Sequence, residues 1–271
     1  ETGYMFEQHE AVSVKELMMM TSKCSKKRCK FIDVGGNIGS WTLLFAAFGI
    51  ETYAIEANPR NFMHLCNSVL LSGQMFSQTF GKVHLLNNGV SSRTGLPLRI
   101  EEPIEGNMGA THTWISDGSD ADDETEMVRD DVTNPNLKWR SRSSRVTTIR
   151  IDDYFNDIRD VGLIKSDTEG HEGPVFMGAW DTIKRERPVI AFEWEPDVQM
   201  ERWAVDPVHI ISTFKKLDYV RVTSFNKHEG SFTWRYLDEH HSEDVEERVE
   251  IFIVIPREEA ELIHKVLLAK L

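Results

Sequence analysis

The chain has 271 residues, of which 40% are hydrophobic and 28% charged, and it carries a net charge of −13. A chain of this length buries a core without staples, and its acid excess argues against a nucleic-acid backbone or an anionic membrane as main partner. No apolar run approaches the roughly 20 residues of a membrane span, and no signal peptide is visible at the N-terminus.

From the N-terminus, Glu1-Thr2-Gly3 lacks an initiator Met and reads as a remnant of a secretion vector. On that reading the chain is a trimmed piece of a longer protein of the secretory pathway, with the Golgi lumen as its compartment; otherwise it is cytoplasmic. Residues 8–20 read as a helix with Val12, Leu17 and Met20 as apolar contacts. Cys24 and Cys29 either pair in an oxidising compartment or remain free thiols beside a strand, and Cys66 reads as core.

Residues 31–34 form a short apolar strand interrupted by Asp33. Gly35, Gly36 and Gly39 then permit a tight turn. Ile38, Trp41, Leu44, Phe45 and Phe48 follow at helical spacing, with Gly49 as the C-terminal cap. The glycines fall as G-G-x-x-G, which is not the dinucleotide fingerprint G-x-G-x-x-G. Asp33, Gly35, Asn37 and Gly39 instead resemble motif I of the S-adenosylmethionine methyltransferases. There the loop wraps an amino acid and a ribose, and an acid near the turn meets the ammonium.

A second strand at 52–55 ends in Glu56, placed to hold ribose hydroxyls. Asn58-Pro59 opens a helix with a cap and Pro at its first position. Phe62, Leu65, Cys66 and Val69 face inward, and Gly73 stops it. A third strand at 83–86 leads to Asn87 and Asn88, candidates for an adenine edge.

Residues 95–145 leave this rhythm. They read as an insertion whose acidic run, 117–131, is a mobile solvated loop, while 107–114 covers the active site with His112 and Trp114 facing substrate. Regularity returns with an alternating strand at 146–151 and a fourth core strand at 161–165. Asp167, Thr168, Glu169, Gly170, His171 and Glu172 follow, then a helix running to about Arg187. A fifth strand at 189–192 ends in Glu193-Trp194-Glu195. Asp206-Pro207 caps the next helix, 219–223 and 249–255 close as a strand pair around a polar loop, and 258–269 is an amphipathic helix. Strands alternating with helices predict one domain over 1–271: a doubly wound, mostly parallel α/β sheet with an antiparallel C-terminal strand. Asp33, Glu56, Asp167 and Glu193 fall where such sheets bind ligands, at the C-terminal strand ends.

Five segments together resemble the FkbM-like family of S-adenosylmethionine-dependent methyltransferases. They are residues 33–39, 55–59, 148–153, 164–172 with 177–179, and 187–193. The resemblance implies the class I methyltransferase (Rossmann-like) fold, S-adenosylmethionine as cofactor, and O-methylation of a sugar, a glycan or another small hydroxylated acceptor. It makes Asp33, Gly35, Gly36, Asn37, Gly39, Glu56, Asn88 and Asp167 the expected cofactor-binding residues.

Methyl transfer from a sulfonium is an in-line displacement, so the protein must position the nucleophile and take its proton. His171 is the first candidate base, because an unperturbed imidazole titrates near neutrality. Asp167 orients it, contacts the cofactor or acts as base itself, while Glu169 caps the helix. Asp167 and Glu193, with Glu195 beside them, are candidate ligands for Mg²⁺ or Mn²⁺. Lys165 reads as structural. Two other classes compete. A nicotinamide-dependent oxidoreductase lacks its G-x-G-x-x-G and a Tyr-x-x-x-Lys pair. A binding module that keeps the fold without catalysis fits poorly with an intact glycine loop and Glu56.

Overall fold

The computed structural model describes residues 3–26, 29–76, 78–103, 112–115, 127–130, 138–226, 231–238, 244 and 249–268. Helix α1 (Gly3–Met20) leads into β1 (Lys30–Val34), α2 (Ser40–Ala47), β2 (Glu51–Ile55), α3 (Pro59–Met75), β3 (Val83–Leu86) and a short β4 (Gly89–Val90). Next come β5 (Pro97–Pro103), β6 (His112–Ile115), β7 (Met127–Asp130) and β8 (Lys138–Ile149). The alternation resumes with α4 (Ile151–Tyr154), β9 (Val161–Ser166), α5 (Glu172–Met177), α6 (Trp180–Glu186), β10 (Val189–Trp194), α7 (Pro196–Trp203) and α8 (Pro207–Lys216). The chain closes with β11 (Tyr219–Asn226), β12 (Ser231–Tyr236), β13 (Val249–Pro256) and α9 (Arg257–Leu268).

An eight-stranded sheet in the order β12-β11-β13-β10-β9-β1-β2-β3 forms the centre. From β10 to β3 every pairing is parallel, and β13 enters antiparallel between β10 and β11. The doubly wound fold with an antiparallel C-terminal strand is therefore observed. Alternate residues of the central strands feed opposite cores, as strands covered on both faces must. Phe31, Leu163 and Ala191 pack with Leu17, Trp41, Phe45 and Ile263 on one face. Ile32, Ile164 and Phe192 pack with Val175, Phe176, Ile211 and Phe214 on the other.

Local signals place the helix ends well. Asn58 accepts a hydrogen bond from Arg60 N, and Asp206 accepts one from Val208 N. Gly49, at φ +76°, follows α2 in the left-handed conformation a C-terminal cap requires. Several expectations need correction. The first helix begins at Gly3. Gly73 does not stop α3, which runs to Met75 and whose ladder extends to a bond from Phe76 N to Ser72 O. Phe48 lies outside the core at 58% exposure. The helix expected to reach Arg187 breaks at Gly178, where a Cβ would stand 2.2 Å from the Ser91 carbonyl oxygen. The closing pair gains a third strand, β12, on the far side of β11.

Between β4 and α4 the described elements are all strands. β8 pairs with β5 and β7 antiparallel and with β4 parallel, and β6 adds to β5. Most of the acidic run, and residues 107–111 of the expected active-site cover, lie outside the described residues. Among the described residues no helix is long and apolar enough to cross a membrane.

Cys24 and Cys29 form a disulfide between the end of α1 and the start of β1, and both are buried. Gly162 in β9 packs against it: a Cβ there would stand 2.5 Å from Cys24 Sγ and 2.6 Å from Cys29 Cβ. Gly162→Ala should therefore overpack this layer and lower the unfolding free energy of the oxidised protein by about 1–3 kcal/mol. Urea denaturation checks this, and an unchanged midpoint would refute the close packing.

Candidate functional site

The site is built where β1, β9 and β10 end. Asp33 and Lys165 are direct neighbours in the parallel β1–β9 register. Asp33 is wholly buried; its Oδ2 accepts a 2.6 Å hydrogen bond from Thr42 Oγ1, and its Oδ1 lies 3.6 Å from Lys165 Nζ. Lys165 Nζ also donates to the Gly35 carbonyl at 3.0 Å and lies 3.2 Å from Asp167 Oδ2. Burial pushes the Asp33 carboxyl above its ordinary range, while Lys165 and Thr42 pull against that.

The glycine turn is pressed between strands. Gly35 N and Gly36 N both donate to the Ile55 carbonyl at the end of β2. Gly35 sits at φ +76°, and a Cβ on it would fall 1.8 Å from the Asp167 carbonyl oxygen, so only glycine fits. The Glu56 carboxylate ties the next two turns together, its Oε2 accepting from Asn37 N at 2.8 Å and its Oε1 from Asn58 N at 2.7 Å. Burial pushes Glu56 up to about 7 against these two bonds.

These elements open onto one cavity. Its inner wall includes Gly35, Asn37, Glu56 and Asn61, the far side Asn88, Val90, Leu98 and Thr148, and the β9 end Asp167, Glu169 and His171. Leu98 and Thr148 belong to β5 and β8, so the insertion supplies part of the wall. Asn88 spends its amide nitrogen on the Thr147 carbonyl, and Asn87 spends its own on the carbonyls of Glu56 and Ala57.

At the β9 and β10 ends one carboxylate oxygen each from Asp167, Glu169 and Glu193 lies within 4.8 Å of the others. Burial and then the charges of Asp167, Glu193, Glu195 and Glu172 push Glu169 up to about 8. Glu169 also holds a left-handed backbone at φ 54°, uncommon for a side chain of this kind. Fully buried Glu172 anchors the loop: it accepts from Thr168 N and Oγ1 at 2.7 Å and from Gln199 Nε2 at 2.8 Å, and burial raises it to about 8. His171 is buried, with Nε2 3.2 Å from Ser91 Oγ and its ring edge-on to Trp203 at 4.0 Å. Burial drives the imidazole down to about 3, opposed by the Val90 backbone.

The sequence-derived residues thus separate. Gly35, Asn37, Glu56, Asn88, Asp167 and His171 meet at the cavity. Asp33 is not among the residues that line it: it is buried behind the glycine turn on Thr42 and Lys165. Gly36 and Gly39 are likewise not on the wall; a Cβ at Gly39 would meet Leu65 of α3 at 2.9 Å. His171 is not the near-neutral base its residue type suggests, because burial keeps it uncharged. Glu169 carries the near-neutral titration instead, and the only hint in the sequence is the density of acids around it.

A sheet in this order, with a glycine turn after β1 and an acid after β2, is that of a class I methyltransferase. A family model for the methyltransferase FkbM domain matches residues 33–221, and the chain belongs to that family. Among solved structures it is similar to a methyltransferase FkbM from Methylobacillus flagellatus KT at 16% identity and a TM-score of 0.42, over 84% of this chain and 43% of that one. It thus spans less than half the length of that protein. A precorrin-6y C5,15-methyltransferase from Geobacter metallireducens GS-15 is 10% identical at a TM-score of 0.41, over 90% of this chain and 84% of that one. A magnesium protoporphyrin IX methyltransferase from Synechocystis PCC 6803, solved with bound S-adenosylmethionine, is 6% identical at a TM-score of 0.40, over 94% and 85% of the two chains. No curated protein sequence matches significantly. The cofactor of this class is S-adenosylmethionine.

Lys165→Met should leave the Asp33 carboxyl buried without its counter-charge and cost about 3–5 kcal/mol of stability. Asp33 already has a folded pKa above its unfolded value, and removing Lys165 raises it further. Stability is then lost as pH rises from the unfolded value toward the folded one. Urea unfolding should show a larger deficit at pH 8 than at pH 5.

Proposed function

We propose that the chain transfers a methyl group from S-adenosylmethionine to a hydroxyl of a sugar, a glycan or another small hydroxylated acceptor. The observation that carries this reading is the pair of carboxylates after β9, Asp167 and Glu169, set against the glycine turn in one cavity, with a Glu193 oxygen within 4.8 Å of theirs. Carboxylates accept hydrogen bonds from hydroxyls and repel anions, so they suit a polyhydroxylated, uncharged acceptor.

The residues fit the cofactor. Each Glu56 oxygen spends one lone pair on a backbone N–H and keeps another for a ribose hydroxyl. Asp167, with a half-exposed side chain on the cavity, offers a partner for the amino-acid ammonium. When bound, the cofactor supplies an activated methyl group. Glu169 then takes the acceptor's hydroxyl proton, since a base works best with a pKa near the operating pH. His171, held neutral between Ser91 and Trp203, keeps the far wall in place. A divalent cation on Asp167, Glu169 and Glu193 would polarise the same hydroxyl. Transfer that survives EDTA favours the Glu169 route, and transfer lost in EDTA favours the cation.

Calorimetric titration with S-adenosylhomocysteine should show saturable binding, weakened about 10–100-fold in Glu56→Ala, as expected for hydrogen bonds to a charged group. Because the ribose hydroxyls require the Glu56 carboxylate, affinity should fall as pH drops through about 7, and Glu56→Gln should flatten that dependence. Absence of binding to folded protein would sink the reading. In an assay against sugar acceptors, Glu169→Gln should lose transfer about 10²–10⁴-fold with S-adenosylhomocysteine affinity kept. Full activity in that variant would remove Glu169 as the proton acceptor.

A further inference from the structure

We propose that the outer face of α3 is a contact between two copies of this chain, paired about a two-fold axis. The proposal is independent of the acceptor and of the catalytic assignment.

α3 buries little of what it carries. Only Asn61 and Leu65 are buried along its length, and neither large core includes a residue from it. Met63, Leu70, Leu71 and Met75, with Phe76 just past the helix end, are between 48 and 77% exposed. Met63, Asn67, Leu70, Leu71, Gln74 and Met75 recur at spacings of three and four, so they share one stripe of the helix. All six are exposed. An amphipathic helix in a globular protein carries charge on its outer face; beyond Arg60 and His64 in its first two turns, this one carries methionine, leucine and amides.

The charge pattern selects the occupant. Between Arg60 and Lys82 the sequence has no Asp, Glu, Lys or Arg, in a chain that is 28% charged and has a net charge of −13. A second copy brings the same negative charge, so two copies approach best through surfaces that carry none. Arg60 in the first turn and His64 in the second are the only basic side chains on this stripe, too few to draw an acidic partner or an anionic membrane, which takes clustered cations. The face is its own complement: apolar side chains meet apolar side chains, and Asn67 and Gln74 each both donate and accept. Such self-complementarity is what an isologous two-fold contact requires. Methionine-rich composition and depletion of charge also match the core of an interface.

The area is adequate. The five apolar side chains expose on the order of 600 Å², before the amides and the interface rim are added, against about 800 Å² per partner in a standard interface. A single patch of that size is at the upper end for a monomer. α3 also links β2 to the sheet's edge strand β3. Its first turn contributes Asn61 to the cavity wall, and its cap Asn58 is bound to Glu56. Pairing through α3 would therefore brace the cofactor wall of both copies.

Sedimentation equilibrium on the whole chain tests the proposal. The expected result is twice the chain mass at concentrations up to about 200 μM. The double variant Leu71→Glu/Met75→Glu should stay monomeric with its far-UV circular dichroism unchanged, because both side chains are exposed, and its thermal midpoint should lose the concentration dependence that dimerisation gives the wild type. Gln74→Arg replaces one polar residue by another, so folding is not at issue, and it should weaken the dimer at least tenfold. Leu71→Glu mixed with Leu71→Lys should form a heterodimer more tightly than either variant self-associates. A wild-type chain that remains monomeric across the range overturns the proposal. So does a Gln74→Arg dimer as tight as wild type.

Discussion

The buried ammonium of Lys165 is the constraint on which the site depends. A cation taken out of water costs several kcal/mol unless oxygens replace its shell. Here the Gly35 carbonyl, the Asp33 carboxylate and the Asp167 carboxylate stand around it. Each belongs to a different piece of the site: the glycine turn, the strand before it and the end of β9. Satisfying one charge therefore fixes three backbones at once, and the Thr42 hydroxyl on Asp33 extends the same lattice into α2. Asp167 in turn has its backbone N–H on the Val34 carbonyl at 3.1 Å and its own carbonyl where a side chain on Gly35 would have to be.

That lattice explains which parts of the fold were legible in the sequence and which contacts were not. The strands were legible because both of their faces are apolar, and the helix ends because Asn58, Gly49 and Asp206 act within a few residues. Glu56 was legible because a glycine turn and the following strand end lie close in sequence. The contact of Asp33 with Lys165 was not legible because the two are 132 positions apart and meet only once the β1–β9 register is known. The break at Gly178 and the Ser91 contact of His171 have the same origin, since both depend on the segment around β4 returning across the sheet. β12 alternates in its pattern, with Phe232 buried and Thr233 exposed, yet polar neighbours on both sides hid it. The histidine at 171 shows the limit most plainly. Its residue type implies near-neutral titration, and only burial, which no short motif reports, removes it.

The same logic orders the site from its floor to its mouth. At the floor one lysine is shared by two aspartates. Toward the mouth carboxylates gather: oxygens of Asp167, Glu169 and Glu193 lie within 4.8 Å of one another, and the charges of Glu193 and Glu195 act on Glu169. Burial first, and then these neighbouring charges, push Glu169 up to about 8, so that its ionised form is a stronger proton acceptor than an ordinary carboxylate. On the proposed reading this polarity has a direction. Positive charge resides on the sulfonium before transfer and on the acceptor oxygen as the new bond forms. A wall of carboxylates beside the acceptor favours the second location and receives the proton that follows. On that reading the lysine-centred floor and the acid-rich mouth do different work: the first holds the glycine turn in shape, and the second would draw charge toward the acceptor hydroxyl.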